Sequence, residues 1–434
     1  MIESICAYIN IYFSFFISKR ISCLALMLPI FFVCLPQLKA SEPIRIGVLV
    51  ALGGAYGDFG KDAIRGVDLA INEFGGYIND RPLQVIVEHT DGSAKSLNTA
   101  VEKILGKGRI ELVVGPLTGH EDIALHNIAK MQPNITFING SSAMPYMALG
   151  DGLNNYFRFS PDVNQWTSGL ASYVFNKLGI LKVVTVGEDY SFPFMQIFAF
   201  TAKFCSLGGE VVKHYWVNVG DNRLKSVAKK ISMTDAEAIF IALEGPEAIV
   251  LTREYRALGG KSMFIGGPAT IDNDFLNEVE SELDDYSGTI FSSPIPLAEA
   301  DDNWYEFVKD YKNISTDWSH DPSLFAFSYY VNTKALLLAL DYVDADLSEQ
   351  HEDLRDALSD ISFEGPTGRL SVDEEGQAIV SNFVFELVPS NNSLLKRKLI
   401  KTMKRVDRRL DIDEEDWNNF INSVESGVNC PKIE

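Results

Sequence analysis

The feature that most constrains this chain is an alternation of short apolar strands and amphipathic helices from residue 43 onward. Most of the predicted strands are rich in β-branched residues and apolar on both faces, which is typical of strands buried in a parallel sheet. The predicted strands cover residues 44–50, 83–90, 110–115, 135–140, 181–187, 210–217, 238–243, 262–267 and 288–293. Such an alternation predicts an α/β protein with right-handed crossovers.

The predicted strands form two blocks, at about 44–160 and 180–292, with a turn-rich segment between them. Two further junctions, at 292–304 and 363–377, bring the number of crossings between the blocks to three. We therefore predict two Rossmann-like doubly wound lobes joined by a three-strand hinge, each discontinuous in sequence. The predicted boundaries are 43–161 with 293–366 for lobe 1, 162–292 with 367–420 for lobe 2, and 421–434 for a tail.

The first forty residues differ from the rest of the chain. A basic pair, Lys19-Arg20, precedes an apolar run at 21–36 and a small residue, Ala40. This order is typical of a secretory signal, so we expect residues 1–40 to be a signal peptide and the protein to be exported to the periplasm. An uncleaved N-terminal anchor is the open alternative.

A glycine-rich turn after the first strand raises the question of nucleotide binding. The stretch GGAYGDFG has glycines at 53, 54, 57 and 60. A dinucleotide fingerprint needs glycines at offsets 0, 2 and 5, and a P-loop needs GxxxxGK(S/T); neither pattern occurs. The turn leaves backbone N–H groups open at a helix start, which suits a ligand with a carboxylate or carbonyl group.

Other chemistries find no support in the sequence. The net charge of −21 makes nucleic acid an unfavourable partner. His120 and His126 are six residues apart, not four as in a zinc-binding HExxH helix, so we expect surface or helix-start residues there and no metal. The segment 139–144 has adjacent serines but no histidine partner. We predict no catalytic residues, no cofactor and no enzyme activity.

Only two cysteines, Cys205 and Cys430, follow residue 40. Two cysteines make no disulfide framework, and nothing in the sequence places them together.

Five strand ends carry small polar or aromatic residues. In α/β sheets, ligands bind outside the carboxyl ends of the strands. A cleft between two lobes would collect all five ends, as in a binder that closes on its ligand. These ends are residues 115–120, 139–145, 187–193, 243–247 and 266–272.

The chain resembles the type I periplasmic solute-binding proteins of ABC importers, and within them the leucine/isoleucine/valine-binding group. The resemblance rests on IRIGVLVALGGAYGDFGKDAIRGVDLAINEFGG, ELVVGPLTGHEDIALHNIA, ITFINGSSAMP, KVVTVGEDYSFP and FEGPTGRLSVDEEGQ, which occur in this order. It implies capture of a small amino-acid-like, amide or aromatic carboxylate ligand by hinge closure, and docking on membrane permease subunits. A ligand sensor of the same fold, acting on a signalling receptor or regulator, is the alternative.

The resemblance also implies a set of ligand-binding residues at the strand ends. Amino-acid binders of this family hold the ligand ammonium with an acid after the strand at 262–267, where this chain has Pro268-Ala269. Either Glu244 takes that role, or the ligand is a carboxylate or amide with an apolar or aromatic body. The full set implied is Phe59, Thr118, Gly119, Ser141, Ser142, Ala143, Tyr190, Phe192, Glu244 and Phe325.

Overall fold

The computed structural model describes residues 41–53, 56–107, 110–145, 153–220, 223–297, 302–314, 320–423 and 430. The predicted signal peptide, residues 1–40, and most of the predicted tail lie outside the described residues. Among the helices described, none is long and apolar enough to cross a membrane.

The first part of the chain forms a six-stranded sheet with helices between its strands. Its strand order is β2-β3-β1-β4-β5-β6, with β2 antiparallel to β3 and all other pairs parallel. The elements are β1 (Ile44–Ala51), α1 (Gly57–Glu73), β2 (Tyr77–Ile78), β3 (Arg81–Thr90), α2 (Ala94–Gly106), β4 (Leu112–Val114), α3 (Gly119–Met131), β5 (Thr136–Ile138) and β6 (Tyr156–Phe157).

The second part of the chain repeats this alternation. Five parallel strands lie in the order β11-β10-β9-β7-β8. The elements are α4 (Leu170–Asn176), β7 (Lys182–Glu188), α5 (Ser191–Ser206), β8 (Glu210–Val217), α6 (Leu224–Ile231), β9 (Ala238–Ala242), α7 (Gly245–Ala257), β10 (Met263–Gly266), α8 (Asn273–Val279), α9 (Leu283–Tyr286) and β11 (Ile290–Ser293).

The last part of the chain contributes elements to both sheets. The helix α11 packs along α1 in the core of the first sheet, and β14 then adds antiparallel to β11 at the edge of the second. The elements are α10 (Asp302–Asn313), α11 (Leu324–Tyr342), α12 (Glu352–Asp360), β12 (Phe363–Gly365), β13 (Gly368–Val372), β14 (Ala378–Pro389), β15 (Leu395–Val406) and α13 (Glu414–Ser423).

Each sheet has an apolar core on both faces, which is why its strands are apolar throughout. One face of the first sheet packs against α1 and α11, and the other against α2 and α3. The second sheet is covered by α6 and α7 on one face and by α4 and α5 on the other. We call these two bodies the first lobe and the second lobe. The lobe boundaries named above stay a prediction.

The glycine-rich turn brings helix α1 close to the end of β1. A Cβ atom on Gly60 would lie 2.0 Å from the carbonyl oxygen of Ala51, so only glycine permits this approach. The turn thus has a packing role that is independent of any phosphate group.

A disulfide between Cys205 and Cys430 links the C-terminal end of the chain to α5. Their Cα atoms are 5.3 Å apart, although the two residues are separated by 225 positions in sequence. The helix α13 packs on the same helix, because Trp417 and Phe420 both contact the ring of Phe198. The structure therefore pairs two cysteines that nothing in the sequence placed together.

Candidate functional site

Thr118 begins helix α3 at the carboxyl end of β4. Its Oγ1 accepts a hydrogen bond from the Glu121 backbone N–H at 3.4 Å, and the Glu121 carboxylate accepts from the Thr118 backbone N–H at 3.1 Å. This reciprocal pair is a capping box, and it holds the first turn of α3 at the strand end. Burial raises the pKa of the Glu121 carboxyl, and hydrogen bonds from Thr118 oppose that rise.

Ser141 ties the loop after β5 to the loop after β4. The Ser141 Oγ donates to the carbonyl oxygen of Leu117 at 3.2 Å. The Ser141 backbone N–H donates to the carbonyl oxygen of Pro116 at 3.0 Å. Ser142 is fully buried and accepts from the Met144 backbone N–H at 3.2 Å. The half-buried Ser141 is thus the more accessible of the two hydroxyls.

Met144 fills the space next to Gly119. A Cβ atom on Gly119 would lie 2.7 Å from Met144 Cε. The resemblance implies a serine at this position and a threonine at position 143 in amino-acid binders, and this chain has neither hydroxyl. The backbone of Ala143 remains fixed, because its carbonyl oxygen accepts from the Val163 N–H at 2.9 Å.

A buried ion pair lies next to the loop after β5 and is hydrogen-bonded to it. Arg158 Nη2 donates to Asp122 Oδ2 at 3.0 Å, and both side chains are fully buried. Arg158 Nη1 also donates to the Met144 carbonyl oxygen at 2.6 Å, while the Tyr156 hydroxyl donates to Asp122. The expectation of surface or helix-start residues is correct for the exposed His120 and wrong for His126, which is buried along α3.

Three aromatic side chains line the first lobe at the strand ends. Phe59 and Phe325 stack with ring centroids 4.6 Å apart, and Phe59 is 44% exposed. Tyr56, which was not predicted as a site residue, covers Gly92, where an added Cβ would lie 2.8 Å from its Cε2. An open cavity of about 600 Å³ extends along this surface beside Tyr56 and Gly92.

The second lobe contributes Tyr190, Phe192 and Glu244, which follow β7 and β9. Tyr190 is 38% exposed directly before α5, and Phe192 packs edge-on against Trp166 with centroids 5.2 Å apart. Glu244 is exposed at the start of α7. Burial, with the carboxylates of Glu188 and Glu244, raises the pKa of Tyr190 well above its ordinary value.

The hydroxyl of Tyr56 also contributes to raising the pKa of Tyr190. Tyr56 lies after β1 of the first lobe and Tyr190 after β7 of the second, so each is at the carboxyl end of a strand of its own sheet. The predicted residues thus form three groups: the loops after β4 and β5, the Phe59–Phe325 stack, and the strand ends of the second lobe.

Glu188, the last residue of β7, was not predicted as a site residue. It is 1% exposed, and burial raises the pKa of its carboxyl to about 7, with Glu244 and Glu247 adding to the rise. The signal in the sequence was an acid at the end of a mostly apolar strand, two residues before the predicted Tyr190.

Comparison with known proteins identifies relatives along most of the chain. A family model described as periplasmic binding protein matches residues 43–392. The Leu/Ile/Val-binding protein homolog 6 of Brucella melitensis is 22% identical over 383 residues, covering 84% of this chain and 93% of the relative.

Solved structures share the fold. An ABC transporter substrate-binding protein from Sphaerobacter thermophilus has a TM-score of 0.74 at 22% identity, covering 85% of this chain and 99% of that one. A solute-binding protein of an ABC transporter from Rhodopseudomonas palustris BisB5, in complex with 3,4-dihydroxybenzoic acid, has a TM-score of 0.71 at 18% identity, covering 84% and 98%. A leucine-binding protein from Thermotoga maritima has a TM-score of 0.67 at 19% identity, covering 83% and 99%. The predicted two-lobe α/β fold is confirmed.

Proposed function

Because this chain belongs to the periplasmic binding protein family, we propose that it is the extracytoplasmic capture protein of an ABC importer. Membership establishes a substrate-binding role outside the cytoplasm and agrees with the prediction that the chain is not an enzyme. The observation that supports capture most directly is that partly exposed aromatic residues lie at the carboxyl ends of both sheets, with Tyr56 after β1 and Tyr190 after β7.

The ligand we propose is a small molecule with a polar head group: an amino-acid-like compound, an amide or an aromatic carboxylate. The helix starts and Ser141 of the first lobe suit a carboxylate or carbonyl head group. The Phe59–Phe325 stack suits an apolar or aromatic body. The dihydroxybenzoic acid complex of the Rhodopseudomonas protein and the leucine-binding protein of Thermotoga represent two of these ligand classes.

Closure about the segments between the lobes is the proposed response to the ligand. These segments are hydrogen-bonded to one another: Gln165 Nε2 donates to the carbonyl oxygens of Ala378 and Val406 at 2.7 and 2.9 Å. Asn382 Nδ2 donates to the carbonyl oxygens of Trp166 and Ser168. A ligand shifts the open–closed equilibrium only by its difference in affinity for the two states. The closed state would then dock on the membrane permease subunits.

A thermal-shift screen followed by one substitution tests the capture role and the predicted site. The screen uses L-leucine, acetamide and benzoate, and at least one should raise the melting temperature by mass action. Ser141→Ala should weaken binding of that compound about fivefold without unfolding the protein, since it removes one hydrogen bond, worth about 1 kcal/mol. The control is Ser206→Ala, whose hydroxyl bonds the Lys203 carbonyl on α5. An unchanged affinity in Ser141→Ala would remove Ser141 from the site.

The sensor of the same fold remains the second candidate. Loss of radiolabelled ligand uptake on deletion of the protein supports transport. Unchanged uptake together with altered gene expression would favour the sensor.

A further inference from the structure

The Glu188 carboxylate is buried without a matching donor. Neither of its oxygens makes a hydrogen bond of ordinary geometry to any residue in the described part of the chain. The backbone N–H of Glu244 lies close enough to lower the pKa of the carboxyl, against the larger effect of burial. A buried carboxylate without full compensation is costly, and such groups persist in native proteins where they have a function.

The surroundings of Glu188 increase the negative charge at this point. Glu244 and Glu247 face it from the start of α7, and Tyr190 faces it from the start of α5. On the other side, β8 pairs Val217 with Glu188, which offers no cation. These neighbours therefore leave the charge of Glu188 unbalanced.

A second unmatched acceptor lies at the same end of the second sheet. The Oε1 atom of Gln196, on α5, is buried and has no hydrogen-bond partner among the described residues. It lies beside the loop after β10, since a Cβ atom on Gly267 would be 2.4 Å away. Unmatched acceptors thus lie at the end of β7 and beside the loop after β10, and a ligand with several N–H donors would satisfy them.

We propose that Glu188, with Glu244 beside it, is a receptor for a cationic nitrogen group, so that the ligand carries an ammonium, amidinium or guanidinium group. This inference rests on the proposed capture function and narrows its ligand class. The resemblance leads one to expect such an acid after β10, where Pro268-Ala269 stands. Glu188 supplies it from β7, which is separated from β10 by β9 alone.

Probes of matched shape and different charge test this inference. Benzamidine, benzamide and benzoate share one ring and carry a positive, a neutral and a negative head group; L-leucine and L-arginine add amino acids. Binding is measured by calorimetry and thermal shift on the full chain at pH 8. The cationic benzamidine, or one of the two amino acids, should bind at least tenfold more tightly than benzamide and benzoate.

Substitution identifies the residue responsible. Glu188→Gln keeps the shape and removes the charge, and it should weaken binding of the cationic probe at least tenfold. Glu244→Gln, at an exposed position, should weaken it by a smaller factor. The control is Glu210→Gln, an exposed carboxylate on β8 that pairs only loosely with Lys182, and it should leave the affinity unchanged.

The pH dependence of wild-type binding gives a further readout. Affinity for benzamidine, whose charge is constant in this range, should rise between pH 6 and pH 8 as Glu188 loses its proton. The same profile should be flat in Glu188→Gln.

The outcomes separate this inference from the capture function. If benzoate or benzamide binds and every cationic probe fails, the cation receptor is wrong while capture stands. If Glu188→Gln binds the cationic probe as tightly as the wild type, Glu188 is not the receptor. If the wild type binds none of the probes, nor the compounds of the broader screen, the capture function itself is overturned.

Discussion

Replacing Glu188 by glutamine should stabilise the ligand-free protein at neutral and alkaline pH. The substitution keeps the side-chain shape and removes a charge that has no cation beside it in the described structure. Burial raises the pKa of this carboxyl from 4.5 to about 7. At about 1.4 kcal/mol for each pH unit, the charged form costs the folded protein about 3 kcal/mol.

The sign of the pH dependence follows from proton binding. Between pH 4.5 and about 7, the folded protein holds the Glu188 proton more tightly than the unfolded chain does. The free energy of unfolding contributed by this group therefore falls as the pH rises through that window, and it stays low above pH 7. Glutamine does not titrate, so the two proteins should be alike near pH 4.5 and differ by up to about 3 kcal/mol at pH 8.

Urea denaturation at pH 4.5, 6 and 8, followed by circular dichroism, measures the difference in unfolding free energy between the two proteins. A folded body of about 390 residues has an unfolding entropy of about 0.8 kcal/mol/K, so the melting temperature at pH 8 should rise by roughly 4 °C. Glu210→Gln, which removes an exposed charge, should change neither the unfolding free energy nor the melting temperature. If Glu188→Gln is less stable than the wild type at pH 8, the carboxylate has a stabilising partner in the ligand-free protein and the reasoning is refuted.

Three other substitutions test features around the site. Arg158→Met leaves the buried Asp122 without its cation and should cost about 3–5 kcal/mol in urea denaturation; a cost below 1 kcal/mol would show that the ion pair does not hold the loop. Cys430→Ser should lower the unfolding free energy by about 2–4 kcal/mol and expose Cys205 to alkylation, which peptide mass spectrometry detects; alkylation of Cys205 in the unreduced wild type would contradict the disulfide. Phe325→Ala should cost about 2 kcal/mol of stability for a half-buried ring and weaken binding of ring-bearing probes more than that of L-leucine; equal weakening would exclude ring contact.

Much of the fold was predictable because the signal is local. The strands β1, β7 and β9 are mostly apolar on both faces, and the helices after β1 and β9 have an apolar stripe, so the place of these strands in parallel sheets is predictable from short stretches of sequence. The two-residue strands β2 and β6 are too short to carry such a pattern: β2 pairs with β3 across a two-residue turn, and β6 pairs with β5, which lies 19 positions earlier.

The site was less predictable, since its properties depend on tertiary contacts. The capping role of Thr118 was readable, because Thr118 and Glu121 have capping-box spacing ahead of a helix. The absence of a hydrogen-bond donor to Glu188 among the described residues was not predictable, because it depends on the residues that pack around the end of β7. The same holds for the pairing of Asp122 with Arg158, 36 positions away.

The disulfide between Cys205 and Cys430 closes a covalent ring around much of the molecule. The chain within this ring leaves the second lobe, builds α10 to α12 of the first lobe, and returns. A single peptide-bond cut anywhere between the two cysteines would leave both fragments attached to each other. Limited proteolysis would therefore detect such cuts only under reducing conditions, and a nicked sample would keep its intact mass, apart from one added water, until a thiol reagent separates the pieces.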